Sequence, residues 1–271
     1  MKITFLGGGN MANALIGGLL KQGFAAGDIE VVDLDAACRE HLTATYGVFC
    51  HAGPESMAWA ADVIVLAVKP QQMKDAVQPL VSCLSRQVVV SIAAGLRLDT
   101  LSRWLGGYRR LVRGMPNTPA MIGAGITGLC ALPEVSPSER QAAERVLRAV
   151  GSTLWIDDEA QMDAVTAVSG SGPAYFFLFI EALQQAAAEL GFSPEQGRQL
   201  SIETALGAAK LARQSSEPAL ILRERVTSKG GTTEAALQVM AERGVKAGIV
   251  AGILAANARG AELGQRLGED E

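Results

Sequence analysis

The segment Gly7-Gly8-Gly9-Asn10-Met11-Ala12 follows a β-branched and apolar run, Lys2 to Leu6, and opens an apolar helical pattern through Leu15, Ile16, Leu19 and Leu20. In that setting each small residue has a task. Gly7 makes a tight turn, Gly9 lets the backbone approach a pyrophosphate, and Ala12 lets helix and strand pack closely. The helix N-terminus then offers unpaired N–H groups and positive potential to the anion. Asp33 closes the next β-branched run, 21 residues after Ala12, where an acidic side chain meets an adenine ribose. A carboxylate there accepts from a 2′-hydroxyl and repels a 2′-phosphate, which by itself favours NADH over NADPH. Arg39, six residues later, could offset that repulsion, so the choice between the two stays open.

Further run ends point at the same crevice, because ligands of doubly wound sheets lie beyond the carboxyl ends of the strands. Ala67-Val68-Lys69-Pro70 supplies a cation that could face a phosphate or ribose, Ala93-Ala94-Gly95 leaves room for a flat ring, and Asn117 and Thr118 sit in a loop stiffened by Pro116 and Pro119. Oxidation of an alcohol needs a base, usually His or Lys. Candidates are few: His41 and His51 fall early, near the helix after the second run, and are expected on the surface there, and the second half offers only Lys210, Lys229 and Lys246. That half does carry Ser169-Gly170-Ser171-Gly172-Pro173-Ala174-Tyr175 and Val226-Thr227-Ser228-Lys229-Gly230-Gly231-Thr232-Thr233, each before a helical pattern. Backbone N–H groups and hydroxyls at a helix start can hold a carboxylate, or simply cap the helix. A dinucleotide site paired with an anion nest, without an evident acid–base residue, suits reduction of a C=N bond whose nitrogen is protonated before hydride arrives.

The elements that must position these residues fall into two rhythms. Up to about Asp157, β-branched runs (residues 2–6, 29–33, 62–68, 87–93, 110–114, 126–132 and 153–157) alternate with amphipathic segments, which predicts an α/β, Rossmann-type doubly wound parallel sheet. Beyond Asp158 the pattern turns helical, with Phe176, Ile180, Leu183, Ala187 and Leu190 at three- and four-residue steps, and the punctuation predicts about five helices. The expected domains are 1–158 for dinucleotide binding and 159–271 for an all-α substrate-binding and dimerisation unit. Ala- and Gly-rich helices near residues 233–243 and 246–267 suit either subunit packing or a close intramolecular bundle. A chain of 271 residues with 24 basic and 28 acidic side chains, 49% hydrophobic, excludes a disordered polymer and lacks the basic field that nucleic acid or an anionic membrane requires. The apolar stretches are too short to span a bilayer, and Cys38, Cys50, Cys83 and Cys130 lack paired metal-ligand spacing. A cytoplasmic protein with reduced thiols and no metal is expected.

Taken together, the glycine motif with Asn10-Met11-Ala12, the segments 67–70, 93–95 and 115–119, Asp163-Ala164-Val165-Thr166, and the two segments 169–175 and 227–233 resemble the pyrroline-5-carboxylate reductase family. The resemblance implies a homodimer, often built further into a decamer, with interlocking helical domains. It also implies reduction of 1-pyrroline-5-carboxylate to proline, with NADPH as the usual donor and NADH possible. By position, Gly231, Thr232 and Thr233 hold the substrate carboxylate, Thr233 bonds the ring nitrogen, Ser228 supports the loop, and Glu159, Thr166 and Asn117 border the substrate. Two departures stand out, Lys229 in place of a common proline and Leu34 in place of a common arginine for the 2′-phosphate; Arg225 could reach the cofactor. The alternatives are a β-hydroxyacid dehydrogenase, whose lysine has no counterpart between Ser169 and Leu190, and a nucleotide-binding regulator without turnover.

Overall fold

A computed structural model describes residues 1–53 and 60–269. The first part alternates β1 (Ile3–Leu6), α1 (Asn10–Lys21), β2 (Ile29–Val32), α2 (Ala36–Tyr46), β3 (Phe49–His51), β4 (Val63–Leu66), α3 (Met73–Val77), β5 (Val88–Ser91), α4 (Leu98–Trp104) and β6 (Leu111–Met115). These strands stand in the order β3-β2-β1-β4-β5-β6, all parallel, as in Rossmann folds. β7 (Gly125–Ala131), α5 (Pro137–Leu147) and β8 (Gly151–Trp155) extend the sheet beyond β6.

The expectation of a wholly parallel sheet is corrected at β7, which runs antiparallel to β6 while β8 runs parallel to β7. Between β6 and β7 lies only a 3₁₀ turn, Thr118–Ile122, and that is too short for the crossover a parallel neighbour requires. β3 was not expected either. It is three residues long, pairs with β2 alone, and exposes Phe49 to 65%, so it carries no apolar run.

Alternation along the strands explains the two-sided core. Ile3, Phe5, Val63, Val65, Val88 and Val90 pack with Leu15, Ile16 and Leu19 of α1. Leu6, Ile64, Leu66 and Val89 pack with Met73 and Val77 of α3 and Leu98 and Leu101 of α4. α1 can lie this close because it presents Gly18 to the Ala149 carbonyl; a Cβ at Gly18 would stand 2.3 Å from that oxygen. α5 begins at a reciprocal cap between Ser136 and Glu139 with Pro137 in the first turn.

From Asp158 onward the chain is helical: α6 (Met162–Val165), a π-helical turn (Thr166–Gly170), α7 (Gly172–Glu189), α8 (Pro194–Gln214), α9 (Ala219–Arg225), α10 (Thr232–Glu242) and α11 (Val245–Glu269). The compact units divide differently from the expected boundary. Residues 1–171 and the chain from Ala256 form one unit, and Gly172–Ala255 form the other. In the second unit α7 packs on α8, with Gly197 against Ala187. Many of its large apolar side chains remain exposed, among them Phe176, Phe177, Leu178, Leu190 and Leu254. The helical period therefore identified α7 correctly, but the stripe through Phe176 and Leu190 is no internal core. The part of α11 beyond Ala256 belongs to the first unit, where Gly260, Gly264 and Gly268 face Asp163, the Gly95 carbonyl and Thr100. There, small residues at four-residue steps serve close intramolecular contact.

Candidate active site

Strand register sets the site. Leu6 stands opposite Val32 and Leu66, and Leu66 opposite Ser91, so Gly7, Asp33, Ala67 and Ile92 emerge together at the carboxyl edge. Bonds from Gly7 N to Val32 O (2.8 Å) and from Ala67 N to Leu6 O (2.8 Å) carry the ladder one step past the strands. Gly7 has φ +99°, and a Cβ there would lie 2.8 Å from the Ala67 carbonyl oxygen, so both its conformation and its surroundings demand glycine. Gly8 is buried beneath the turn, over Cys38 and Leu42. Gly9 differs: its φ is −63°, and nothing lies within 4 Å of a Cβ built on it. The backbone is bare toward open space at the N-terminus of α1. This cradle fits a dinucleotide, because a pyrophosphate needs close approach to first-turn N–H groups.

Around this turn lies a cavity of about 670 Å³ bounded by Leu6, Gly7, Gly9, Asp33, Ala67, Val68 and Lys69. A second, of about 420 Å³, is bounded by Pro70, Ala94, Gly95, Asp163 and Thr166, with Leu263, Arg266 and Leu267 of α11 as a further wall. Gln71 lines both. Of the expected cofactor residues, Met11 and Ala12 face the core side of α1, Ala93 is buried beneath Ala94, and Asn10 opens onto a groove on the far side of α1.

Asp33 is held rather than free. Its Oδ2 accepts from Gly8 N (2.7 Å) and its Oδ1 from Asp35 N (2.8 Å), so the carboxylate fastens the glycine turn to the end of β2. Each oxygen keeps a lone pair for a ribose hydroxyl. Arg39 is anchored at the same place, Nη1 donating to the Asp33 and Leu34 carbonyls (2.8 and 2.9 Å). Anion and cation thus share the carboxyl end of β2. Beneath them the Cys38 thiol donates to Gly8 O (3.2 Å), and burial, helped by the charge of Asp33, pushes its pKa up to about 11.

Several expectations change. Asn117 donates to Ser169 O (3.1 Å) and accepts from Ile126 N (3.0 Å), so its amide joins the loop after β6 to the π-helical turn. Glu159 accepts from Leu98 N (2.8 Å) and from Arg113 Nη1 (3.0 Å) and is likewise bound to protein. Arg225 bonds Glu217. His51 does not lie on a helix surface: it belongs to β3, is largely covered, and stands 3.2 Å from Glu30. His41 stands 3.0 Å from Asn13. Thr166 lines the second cavity while its hydroxyl donates to Met162 O.

In the helical unit, Gly230 has φ +72° and its N–H donates to Glu234 (2.6 Å), while Gly231 N donates to Ser228 O (3.0 Å). Ser228 thereby supports the loop through its carbonyl. Thr232 and Thr233 begin α10, and the N–H groups of a first turn have no earlier carbonyl to bond within the helix. Sequence reasoning missed Arg113, a guanidinium 3% exposed in the middle of β6. The signal was present, since an arginine inside a β-branched run is buried only when paired.

Parallel strands ending at a bare glycine turn, an acid closing the second strand and a separate helical unit define a nicotinamide-dependent oxidoreductase of Rossmann type. Comparison with known proteins narrows this. Residues 159–263 match the family model for pyrroline-5-carboxylate reductase dimerisation, and residues 2–95 match that for NADP oxidoreductase, coenzyme F420-dependent. A pyrroline-5-carboxylate reductase of Pseudomonas aeruginosa is 47% identical over 99% of this chain and 98% of its own. The structure of a pyrroline-5-carboxylate reductase from Coxiella burnetii superposes with a TM-score of 0.92 at 40% identity, covering 97% of this chain and 98% of the other. That of the Plasmodium falciparum pyrroline carboxylate reductase, with NADP bound, gives 0.86 at 27% identity, with the same coverage. The chain belongs to the pyrroline-5-carboxylate reductase family. It is an NAD(P)H-dependent reductase of proline biosynthesis and a homo-oligomer, and the alcohol-dehydrogenase and non-catalytic readings are set aside.

Proposed function

We propose that the dinucleotide lies along the carboxyl edge of the sheet, with its adenosine ribose at Asp33, its pyrophosphate over Gly9 and the nicotinamide beside Ala94 and Gly95. The observation that carries this reading is the open space over Gly9 in a turn whose other glycines are packed. Leu6, Ala67, Val68 and Lys69 wall the adenosine half, and Pro70 leads toward the ring. Asp33 favours a free 2′-hydroxyl and Arg39 offsets a 2′-phosphate, so both NADH and NADPH serve. When bound, the cofactor supplies the hydride.

The chain's own residues then hold the substrate. First-turn N–H groups at Thr232 and Thr233 bind the carboxylate, the Thr233 hydroxyl bonds the ring nitrogen, and Ser228 keeps the loop in shape. Neither histidine is needed to deliver a proton, because the imine nitrogen is protonated before reduction. The functional halves are 1–158 and 159–271, the assembly is a homodimer extended to a decamer, and the compartment is the cytoplasm. The exposed apolar side chains of α7 and α11 support association. Steady-state oxidation of NADPH and NADH with pyrroline-5-carboxylate, alongside sedimentation of the protein, tests this reading; turnover with neither donor overturns it.

A further inference from the structure

We propose that Arg113 is a positioning residue for hydride transfer, one buried guanidinium that sets two walls of the Ala94–Thr166 cavity against each other. This rests on the reading of that cavity as the place of the nicotinamide.

Arg113 lies in the middle of β6 and is 3% exposed. One of its terminal nitrogens stands 3.0 Å from Glu159 Oε1, the other 3.8 Å from Asp163 Oδ1. The two carboxylates lead to different walls. Glu159 also accepts from Leu98 N, the first residue of α4, and so ties down the turn that follows β5 and contains Ala94 and Gly95. Asp163 itself lines the cavity, one helical turn before Thr166, and packs against Gly260 of α11. Nothing in the chemistry of a β-sheet calls for an arginine here. A buried cation needs its partners, and only a planar fork reaches two carboxylates on separate elements at once. Asp163 and Thr166 on one side and Ala94 and Gly95 on the other are thus joined through one buried group, beside the packing of α11 on both. Misplacing reacting groups by about 1 Å costs up to roughly a hundredfold in rate.

Arg113→Lys keeps a positive charge but removes the fork. It is expected to lower kcat by about ten- to a hundredfold, to leave the NADPH dissociation constant within about threefold, since the adenosine half is held elsewhere, and to raise the primary isotope effect with 4-deuterated NADPH as hydride transfer becomes limiting. Asp163→Asn and Glu159→Gln, which preserve shape, should each reproduce part of the loss and fail to add to Arg113→Lys. They carry the test if Arg113→Lys does not fold. A folded Arg113→Lys with kcat and isotope effect unchanged overturns the proposal. So does parallel loss of melting temperature, NADPH binding and kcat, which marks a merely structural role. Ala94→Leu, which fills the cavity, separates the two levels. If it blocks turnover while Arg113→Lys is silent, only the positioning role falls; if it changes neither kcat nor either KM, the cavity reading falls and the proposal with it.

Discussion

Replacing Gly9 by alanine tests the dinucleotide reading at its narrowest point. The backbone at Gly9, φ −63° and ψ −176°, is open to any L-residue, and no atom lies within 4 Å of the added methyl. Restricting the unfolded chain favours the folded state by about 0.4–1 kcal/mol. Alanine is a poorer N-cap than glycine by a similar amount, about 0.5–1 kcal/mol. The two nearly cancel, so the melting temperature should move by no more than about 2–4 °C. The methyl does, however, occupy the space where the pyrophosphate would reach the first-turn N–H groups of α1. Hydrogen bonds to a charged group contribute about 1.5–3 kcal/mol each. Losing one raises the dissociation constant by roughly ten- to a hundredfold. Gly7→Ala is the contrast, because φ +99° and the Ala67 oxygen 2.8 Å from the new Cβ oppose it before any ligand arrives. Fluorescence titration with NADPH and a thermal melt on both variants should show Gly9→Ala losing affinity alone and Gly7→Ala losing affinity and stability. Unaltered NADPH affinity in a folded Gly9→Ala would refute the path over this residue.

Asp33→Ser removes the anion while leaving Arg39 in place, so the ratio of kcat/KM for NADPH to that for NADH should rise, measured in parallel steady-state assays; an unchanged ratio means that Asp33 does not face the ribose. Thr233→Val keeps the backbone donors and deletes the hydroxyl, which should lower kcat/KM for pyrroline-5-carboxylate by roughly ten- to a hundredfold, whereas joint replacement of His41 and His51 by Gln should leave turnover nearly intact. Glu144 accepts from Thr153 Oγ1 (2.7 Å) and Trp155 Nε1 (3.2 Å), and the Thr153 bond above all holds its pKa below the ordinary glutamate value. Its stabilisation is therefore complete above that value and is lost as pH falls through the lowered one. Melts between pH 6 and 3 should show a shallower acid decline in Glu144→Gln than in the wild type.

What the sequence disclosed follows the range of the interactions. The placement of Gly7, Gly9 and Asp33 was readable because a strand, a turn and a helix start are local events, and the acid that closes β2 follows at a fixed distance along one βαβ unit. The direction of β7 was not, since it depends on a connection lacking a helix rather than on the strand's composition. Asn117 and Glu159 sat in the right neighbourhood, yet sequence cannot tell an unengaged polar group from one already bonded. Their partners lie 52 and 46 residues away, at Ser169 and Arg113. The glycines of α11 were ambiguous for a related reason. Small residues at four-residue steps announce close contact without naming the neighbour, and Asp163, Gly95 and Thr100 come together with them only in the fold.

The helical unit links assembly to the substrate loop. Among its described residues the buried ones are Gly172, Ala187, Gly197 and Ser201, and none carries a large apolar side chain. Phe176, Phe177, Leu178 and Leu254 are all more than half exposed in the single chain. Burying one such side chain contributes about 1.5–3 kcal/mol, so most of the hydrophobic stabilisation open to this unit is realised only when a second copy covers it. The loop that carries Ser228 and Thr233 is braced locally by a few bonds, Gly231 N to Ser228 O and Gly230 N to Glu234 among them. Those bonds shape the turn but cannot fix α10 against its neighbours. On the proposed reading, in which Thr233 holds the substrate and a second copy covers these apolar side chains, association supports the order of the substrate turn as well as the stability of the unit.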